Sequence, residues 1–185
     1  MRIVAGKFRG RRLQAPQGRD IRPTADRTRE ALFNVIEGGR FGPPDLLQGA
    51  RVLDAFAGSG ALGLEALSRG AAAAVFLEQA PAAAALCRAN IAALGLAERA
   101  TLLVGDALDP PEAPAAAGLL LMDPPYGRDL AAPALAALAR RSWLAPGALA
   151  VVEAAAKEGL VPPAGFVELD RRRYGKAELI FLRWG

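Results

Sequence analysis

The chain has 185 residues, one cysteine, no histidine and a net charge of +4, which suits one domain able to bury a core without covalent staples. The lone Cys87 excludes an internal disulfide or an all-cysteine metal site and fits a reducing compartment. The missing histidine removes His-based triads, His general bases and most catalytic zinc centres, so chemistry must rest on Asp, Glu, Tyr, Ser, the backbone or a cofactor.

No apolar run has the length of a membrane span and no signal peptide precedes the first strand pattern, so a cytoplasmic monomer without bound metal is expected. The charge is lopsided: residues 1–30 carry nine Lys/Arg against three Asp/Glu, whereas residues 31–185 carry fourteen against sixteen. Basicity confined to one end suggests a polyanion touched by that end.

From Met1 to Gln14, short apolar and basic residues alternate around Gly6 and Gly10, which predicts a small hairpin of two strands. Lys7, Arg9, Arg11 and Arg12 on it could neutralise phosphates or form a solvated face. After a loop from Pro16 to Pro23, Thr24 reads as the N-cap of a helix whose apolar face is Leu32, Phe33, Val35 and Ile36; Gly38-Gly39 ends it. Residues 1–40 thus form a basic hairpin-and-helix extension, and Gly42-Pro43-Pro44 links it to a main domain over 41–185.

From Arg51 onward strands and helices alternate. Strands are predicted over 51–56, 73–77, 100–104, 119–122 and 148–152, and helices over 61–69, 81–94 and 130–141, with 109–117 shortening or replacing one helix. That order argues for an α/β fold: a mostly parallel sheet covered by helices on both faces. The runs 165–169 and 177–182, joined by the basic stretch Arg171 to Lys176, predict a closing antiparallel hairpin, giving seven strands.

Gly58, Gly60 and Gly63 satisfy G-x-G-x-x-G between the first strand and its helix, a spacing that suits a nicotinamide dinucleotide or S-adenosylmethionine. Asp54 at the strand tip favours the second, because a carboxylate welcomes a cationic amino group and repels a pyrophosphate. Glu78 ends the second strand, where a carboxylate accepts from ribose hydroxyls, and Asp106 follows the third, where it suits an exocyclic amine of a base. Asp123-Pro124-Pro125-Tyr126 follows the fourth. Its two prolines fix φ and remove two N–H donors, leaving outward carbonyls on a rigid ledge. Four acids at four successive strand tips lie on the edge where open α/β sheets bind ligands.

Residues 54–66 together with Asp123-Pro124-Pro125-Tyr126 resemble the S-adenosylmethionine-dependent N-methyltransferases whose motif begins with Asp or Asn and continues Pro-Pro-Tyr/Phe. Arg22 to Asn34 and Gly6 to Leu13 narrow the likeness to the bacterial 16S ribosomal RNA guanine-N2 methyltransferases, over nearly the whole chain. The resemblance implies a Rossmann-like class I methyltransferase fold and a cofactor cleft of Asp54, Gly58, Gly60, Glu78, Gln79, Asp106 and Ala107, with Thr24 and Arg27 folding over it. It further implies a substrate in 16S RNA of the small ribosomal subunit, guanine 966, held by Lys7, Arg9, Arg11, Arg12, Arg22, Arg171 and Arg172.

Direct methyl transfer to an exocyclic amine then assigns Asp123 and the Pro124 carbonyl as acceptors and Tyr126 as the stacking platform. Rival readings are an NAD-dependent oxidoreductase on the same fold, an RNA-binding module without activity, and a methyltransferase acting on DNA adenine or protein glutamine. Only the amino-terminal segment chooses guanine in RNA.

Overall fold

The computed structural model describes residues 1–15, 23–43 and 45–185, with side chains from residue 27 onward in the first helix. Five parallel strands come first: β1 (Arg51–Ala55), β2 (Ala73–Glu78), β3 (Ala100–Val104), β4 (Ala117–Met122) and β5 (Leu144–Ala155). β6 (Phe166–Tyr174) and β7 (Ala177–Trp184) follow as an antiparallel hairpin. β7 inserts between β5 and β6, so the sheet order is β3-β2-β1-β4-β5-β7-β6. This is the Rossmann-like class I methyltransferase architecture that the family resemblance implies, and the mostly parallel α/β sheet within it follows from the alternating elements.

Alternation along each strand divides the core in two. Val52, Leu119, Leu121, Leu149, Val151, Leu179 and Phe181 face helices α1 (Pro23–Glu37), α2 (Ala61–Ser68) and α3 (Pro81–Ala93). Leu53, Leu120, Met122, Ala150, Val152, Ile180 and Leu182 face α4 (Ala131–Arg140). α4 presents Ala131, Ala134, Leu135 and Leu138, spaced as one helical stripe, to that face. Ile3 and Leu13 of the arm and Leu32, Phe33 and Ile36 of α1 belong to the first core, so residues 1–40 share a core with the α/β body.

Three local expectations change. The N-terminal arm makes one isolated antiparallel bridge, Arg2 to Arg12, rather than two strands. The N–H groups of Ile3, Gly10 and Leu13 do donate across the arm, but those of Val4, Ala5, Lys7 and Phe8 donate to α2, which keeps the ladder short. α1 begins at Pro23, which places Thr24 in its first turn and not at the cap; proline favours that first turn because its missing N–H is not needed there. β6 runs through Arg171–Arg173, and the connection shrinks to Gly175-Lys176, with Gly175 at φ 64°. β5 is also longer than the apolar run 148–152, because its first residues pair with β4 across a register shift. The stretch 109–116 holds no helix.

Register sets the location of chemistry. β1 to β4 all point their carboxyl ends to one edge, and Ala155 at the end of β5 pairs with Ala177 at the start of β7. The β6–β7 turn therefore lies on that same edge.

Candidate active site

The β1–α2 turn is built by close approach. A Cβ on Gly63 would lie 2.4 Å from the Phe76 ring, and one on Gly60 would lie 2.8 Å from the Cys87 Sγ. Both positions thus need glycine to let α2 pack against β2 and α3, and Gly60 also has φ 81°. Phe56, just after β1, takes φ 59°. A bulky residue in the left-handed region costs free energy and marks a turn held by its surroundings. No feature of the bare sequence announced it.

Carboxylates hold this turn. Asp54 Oδ2 accepts the Gly63 N–H at 2.8 Å, reaching the first turn of α2 from the neighbouring strand. Glu78 accepts the Gly58 N–H at 2.8 Å with one oxygen and the Ala80 N–H at 2.7 Å with the other. Asp106 accepts the Leu108 N–H at 2.9 Å, closing the turn after β3. Asp54 is 2% exposed. Burial raises its carboxyl well above the ordinary range, and the negative charges of Asp123 and Glu78 push the same way against the Gly63 hydrogen bond. The three acids from β1, β2 and β4 thus form one electrostatic cluster. Cys87 lies beneath it, fully buried, its thiol raised to about 12 chiefly by burial, so it is an inert packing residue.

The ledge after β4 has a buried Pro124 between an exposed Asp123 and the half-exposed Tyr126. Tyr126 Oη donates to Glu153 Oε1 at 2.8 Å. Burial, then the Glu153 charge, raises the phenol far above its usual range, so it remains a donor. The Glu153 carboxyl is raised by burial and drawn back by the Tyr126 hydrogen bond and the Arg29 charge. Gly127 N donates to Glu158 Oε1, and Glu158 Oε2 accepts the Ala155 N–H at 3.1 Å. Two glutamates of the β5 end therefore grip the ledge. Both escaped sequence reasoning, although Glu153 follows the apolar run 148–152 as the other acids follow theirs.

The remaining expected residues fall into three groups. Lys7, Arg9, Arg11 and Arg12 are exposed on the arm, with Arg11 donating to the Ala93 carbonyl. Arg171 donates to Glu168 and Glu178 and to the Leu160 carbonyl, and Arg172 donates to Asp170, which Arg40 also approaches at 3.5 Å. These two cations are matched by acids within the hairpin. Gln79 and Arg27 are exposed, while Ala107 is buried against the α4 core, so only its backbone can meet a ligand. Arg22 and the Thr24 side chain lie outside the described residues.

The anchors of the arm were also missed. Glu65, fully buried on α2, accepts the Val4 N–H at 2.8 Å and the Ala5 N–H at 2.9 Å. It accepts from Arg69 Nε at 2.8 Å, and Arg29 lies 3.7 Å away. Ser68 accepts the Phe8 N–H and donates to the Ala5 carbonyl. Asn90 on α3 accepts the Gln14 N–H and donates to the carbonyls of Gln14 and Ser59. A glutamate inside the apolar run of α2 was the available signal; its partners are backbone groups some sixty residues away.

Comparison with known proteins follows the same lines. The sequence profile of the family described as Conserved hypothetical protein 95 matches residues 1–183. A ribosomal RNA small subunit methyltransferase D of Haemophilus influenzae is 35% identical over 95% of this chain and 89% of its own length. The Escherichia coli K12 protein of that name is 38% identical over 86% of this chain and 77% of its own length. A solved Escherichia coli structure, assigned provisionally as a methyltransferase, superposes with a TM-score of 0.84 at 35% identity, covering 100% of this chain and 97% of that one.

Proposed function

The chain belongs to the ribosomal RNA small subunit methyltransferase D family, and from that premise we propose that it methylates the exocyclic N2 amine of a guanine in 16S RNA of the small subunit, using S-adenosylmethionine. Guanine 966 is the target the sequence resemblance implies. That the chain is a methyltransferase acting on ribosomal RNA rests on the family; the cofactor, the amine and the nucleotide are the reading advanced here.

The donor set fits the cofactor. Asp54 is a buried carboxyl raised further by Asp123 and Glu78, and a ligand carrying ammonium and sulfonium charges relieves that repulsion. A pyrophosphate would add to it, and the Gly58 N–H that would otherwise receive a phosphate already donates to Glu78. This balance of charge favours S-adenosylmethionine over a dinucleotide. Asp54, Gly58 and Gly60 would hold the amino-acid end, Glu78 the ribose hydroxyls, and Asp106 with the Gln79 and Ala107 backbone the base. Thr24 and Arg27 of α1 would close over the amino-acid end.

When bound, the cofactor supplies a methyl group on a positively charged sulfur. The residues of the chain do the rest. An exocyclic aromatic amine is a poor nucleophile because its lone pair is delocalised into the ring. Asp123 and the Pro124 carbonyl accept its two N–H bonds and turn the nitrogen toward tetrahedral geometry. The positive charge that develops there meets fixed acceptors, which need no reorganisation as the reaction proceeds. Tyr126 stacks on the base, contributing about 1–3 kcal/mol, and orientation for in-line attack contributes much of the remainder.

The observation that carries this reading is the placement of the Asp-Pro-Pro-Tyr ledge beside the carboxylate-lined glycine turn on one sheet edge. The test is incubation of the protein with undermethylated small subunits and labelled cofactor, followed by mapping of the labelled nucleotide. Asp123→Ala is expected to abolish transfer while S-adenosylhomocysteine affinity stays within a few-fold. Label on another base would redirect the substrate assignment, and unchanged turnover in the variant would remove Asp123 from catalysis.

A further inference from the structure

We infer that Glu153 is the positioning residue for Tyr126. The inference rests on the ledge reading above. It starts from an unusual demand on Tyr126: a stacking ring must present one face at a fixed height, yet this ring is half-exposed and follows two prolines at a strand end. Its phenolic hydroxyl is tied down by donating to Glu153 Oε1 at 2.8 Å.

Glu153 is suited to that work. It lies in β5 opposite Leu179 of β7, so its backbone is fixed by that antiparallel pairing. Its carboxylate accepts a charge-assisted hydrogen bond, which is stronger and more directional than a neutral one. Five residues on, Glu158 accepts from Gly127 N and from the Ala155 N–H, pinning the chain just past the tyrosine. The ring is thus held at its tip by a β5 carboxylate, and the backbone just past it by a carboxylate in the turn after β5.

A double-mutant cycle tests this with the full chain, undermethylated small subunits and S-adenosylmethionine. Tyr126→Phe and Glu153→Ala are each expected to lower kcat/KM about tenfold, equivalent to about 1.4 kcal/mol, with S-adenosylhomocysteine affinity unchanged. The combined variant is expected to be no worse than either alone, because both remove one hydrogen bond. Glu153→Gln, whose amide oxygen still accepts from the hydroxyl, is expected to restore most of the rate, which a merely structural role would not produce. Additive losses, or a Gln variant as poor as the Ala variant at equal thermal stability, would overturn the inference. Asp123→Ala run in parallel separates the two ideas. If it abolishes turnover while the cycle is additive, only the positioning role fails; if it leaves turnover intact, the ledge reading itself fails.

Discussion

Asp54 and Glu65 are both carboxylates exposed by 2% or less, eleven residues apart, one near the carboxyl end of β1 and one in the middle of α2. Asp54 accepts one backbone N–H, from Gly63 in the same turn, and Glu65 accepts two from the arm, and their charged surroundings are opposite. Glu65 has Arg69 at 2.8 Å and Arg29 at 3.7 Å. Asp54 has, among the described residues, only the Gly63 N–H in its favour and the charges of Asp123 and Glu78 against it. A buried charge answered from within the chain belongs to the architecture, since desolvation is offset internally. A buried acid surrounded by acids is a place prepared for something cationic from outside. The contrast explains why one end of α2 seats the arm and the other faces the cleft.

The largest effect is expected where the internal answer is removed. Glu65→Gln leaves Arg29 and Arg69 buried with weakened compensation and frees the arm, so stability should fall by about 3–5 kcal/mol. Urea unfolding measures it, and a loss below about 1 kcal/mol would erase the distinction drawn between the two acids.

Asp54→Asn probes the other side. The amide oxygen still accepts from Gly63 while the desolvated charge is gone, so stability at neutral pH should hold or rise by about 1 kcal/mol, and cofactor affinity should fall. The sign of the pH dependence follows from the raised carboxyl. A group protonated more readily in the folded state favours folding at low pH, and that contribution is lost as pH rises through its raised folded value. The wild-type chain should therefore show a decline of stability above the ordinary aspartate range that the Asn variant lacks. A parallel pair of curves would place the charge elsewhere.

The smallest effect on folding, and the sharpest on binding, concerns the two basic runs. The arm is held through its backbone by buried Glu65, Ser68 and Asn90 beneath it, which leaves Lys7, Arg9, Arg11 and Arg12 exposed. The β6 run is held by its own side chains, with Arg171 and Arg172 matched to Glu168, Glu178 and Asp170. Replacing Arg9, Arg11 and Arg12 with Ala should leave stability within about 1 kcal/mol and flatten the salt dependence of RNA binding by about 0.7–0.9 per lost phosphate contact. Arg171→Ala should cost about 1 kcal/mol of stability or less, as for partly exposed ion pairs, and leave the salt slope close to that of the wild type. Equal slopes in the two variants would show the runs to be equivalent.

Legibility of the sequence followed the range of the interactions involved. Asp54, Gly58, Gly60 and Gly63 were readable because a strand, a tight turn and a helix start lie within a dozen residues and each constrains the next. The seven-stranded sheet was readable because its elements alternate regularly. The arm's antiparallel pairing was readable, but not how short its ladder is, because the groups that capture the N–H donors of Val4, Ala5 and Phe8 sit on α2, some sixty positions away. The β6 arginines were taken as a connection because three consecutive cations suit a loop; in the sheet they are tolerated because acids on β6 and β7 stand beside them. Glu153 was overlooked because its strand runs beyond the apolar stretch that announced it.

The arm also has a length. It runs from Met1 against Ser59 at the glycine turn to Lys7 and Phe8 against Ser68 in the last turn of α2, one helix of eight residues away, about 12 Å. That span equals roughly three or four nucleotides of stacked strand at about 3.4 Å each. For the RNA role proposed above, the helix acts as a ruler: a free nucleoside or a dinucleotide can enter the cleft, but it is too short to engage the far end of the arm. The minimal efficient substrate is then set by the geometry of α2 rather than by the size of the catalytic pocket.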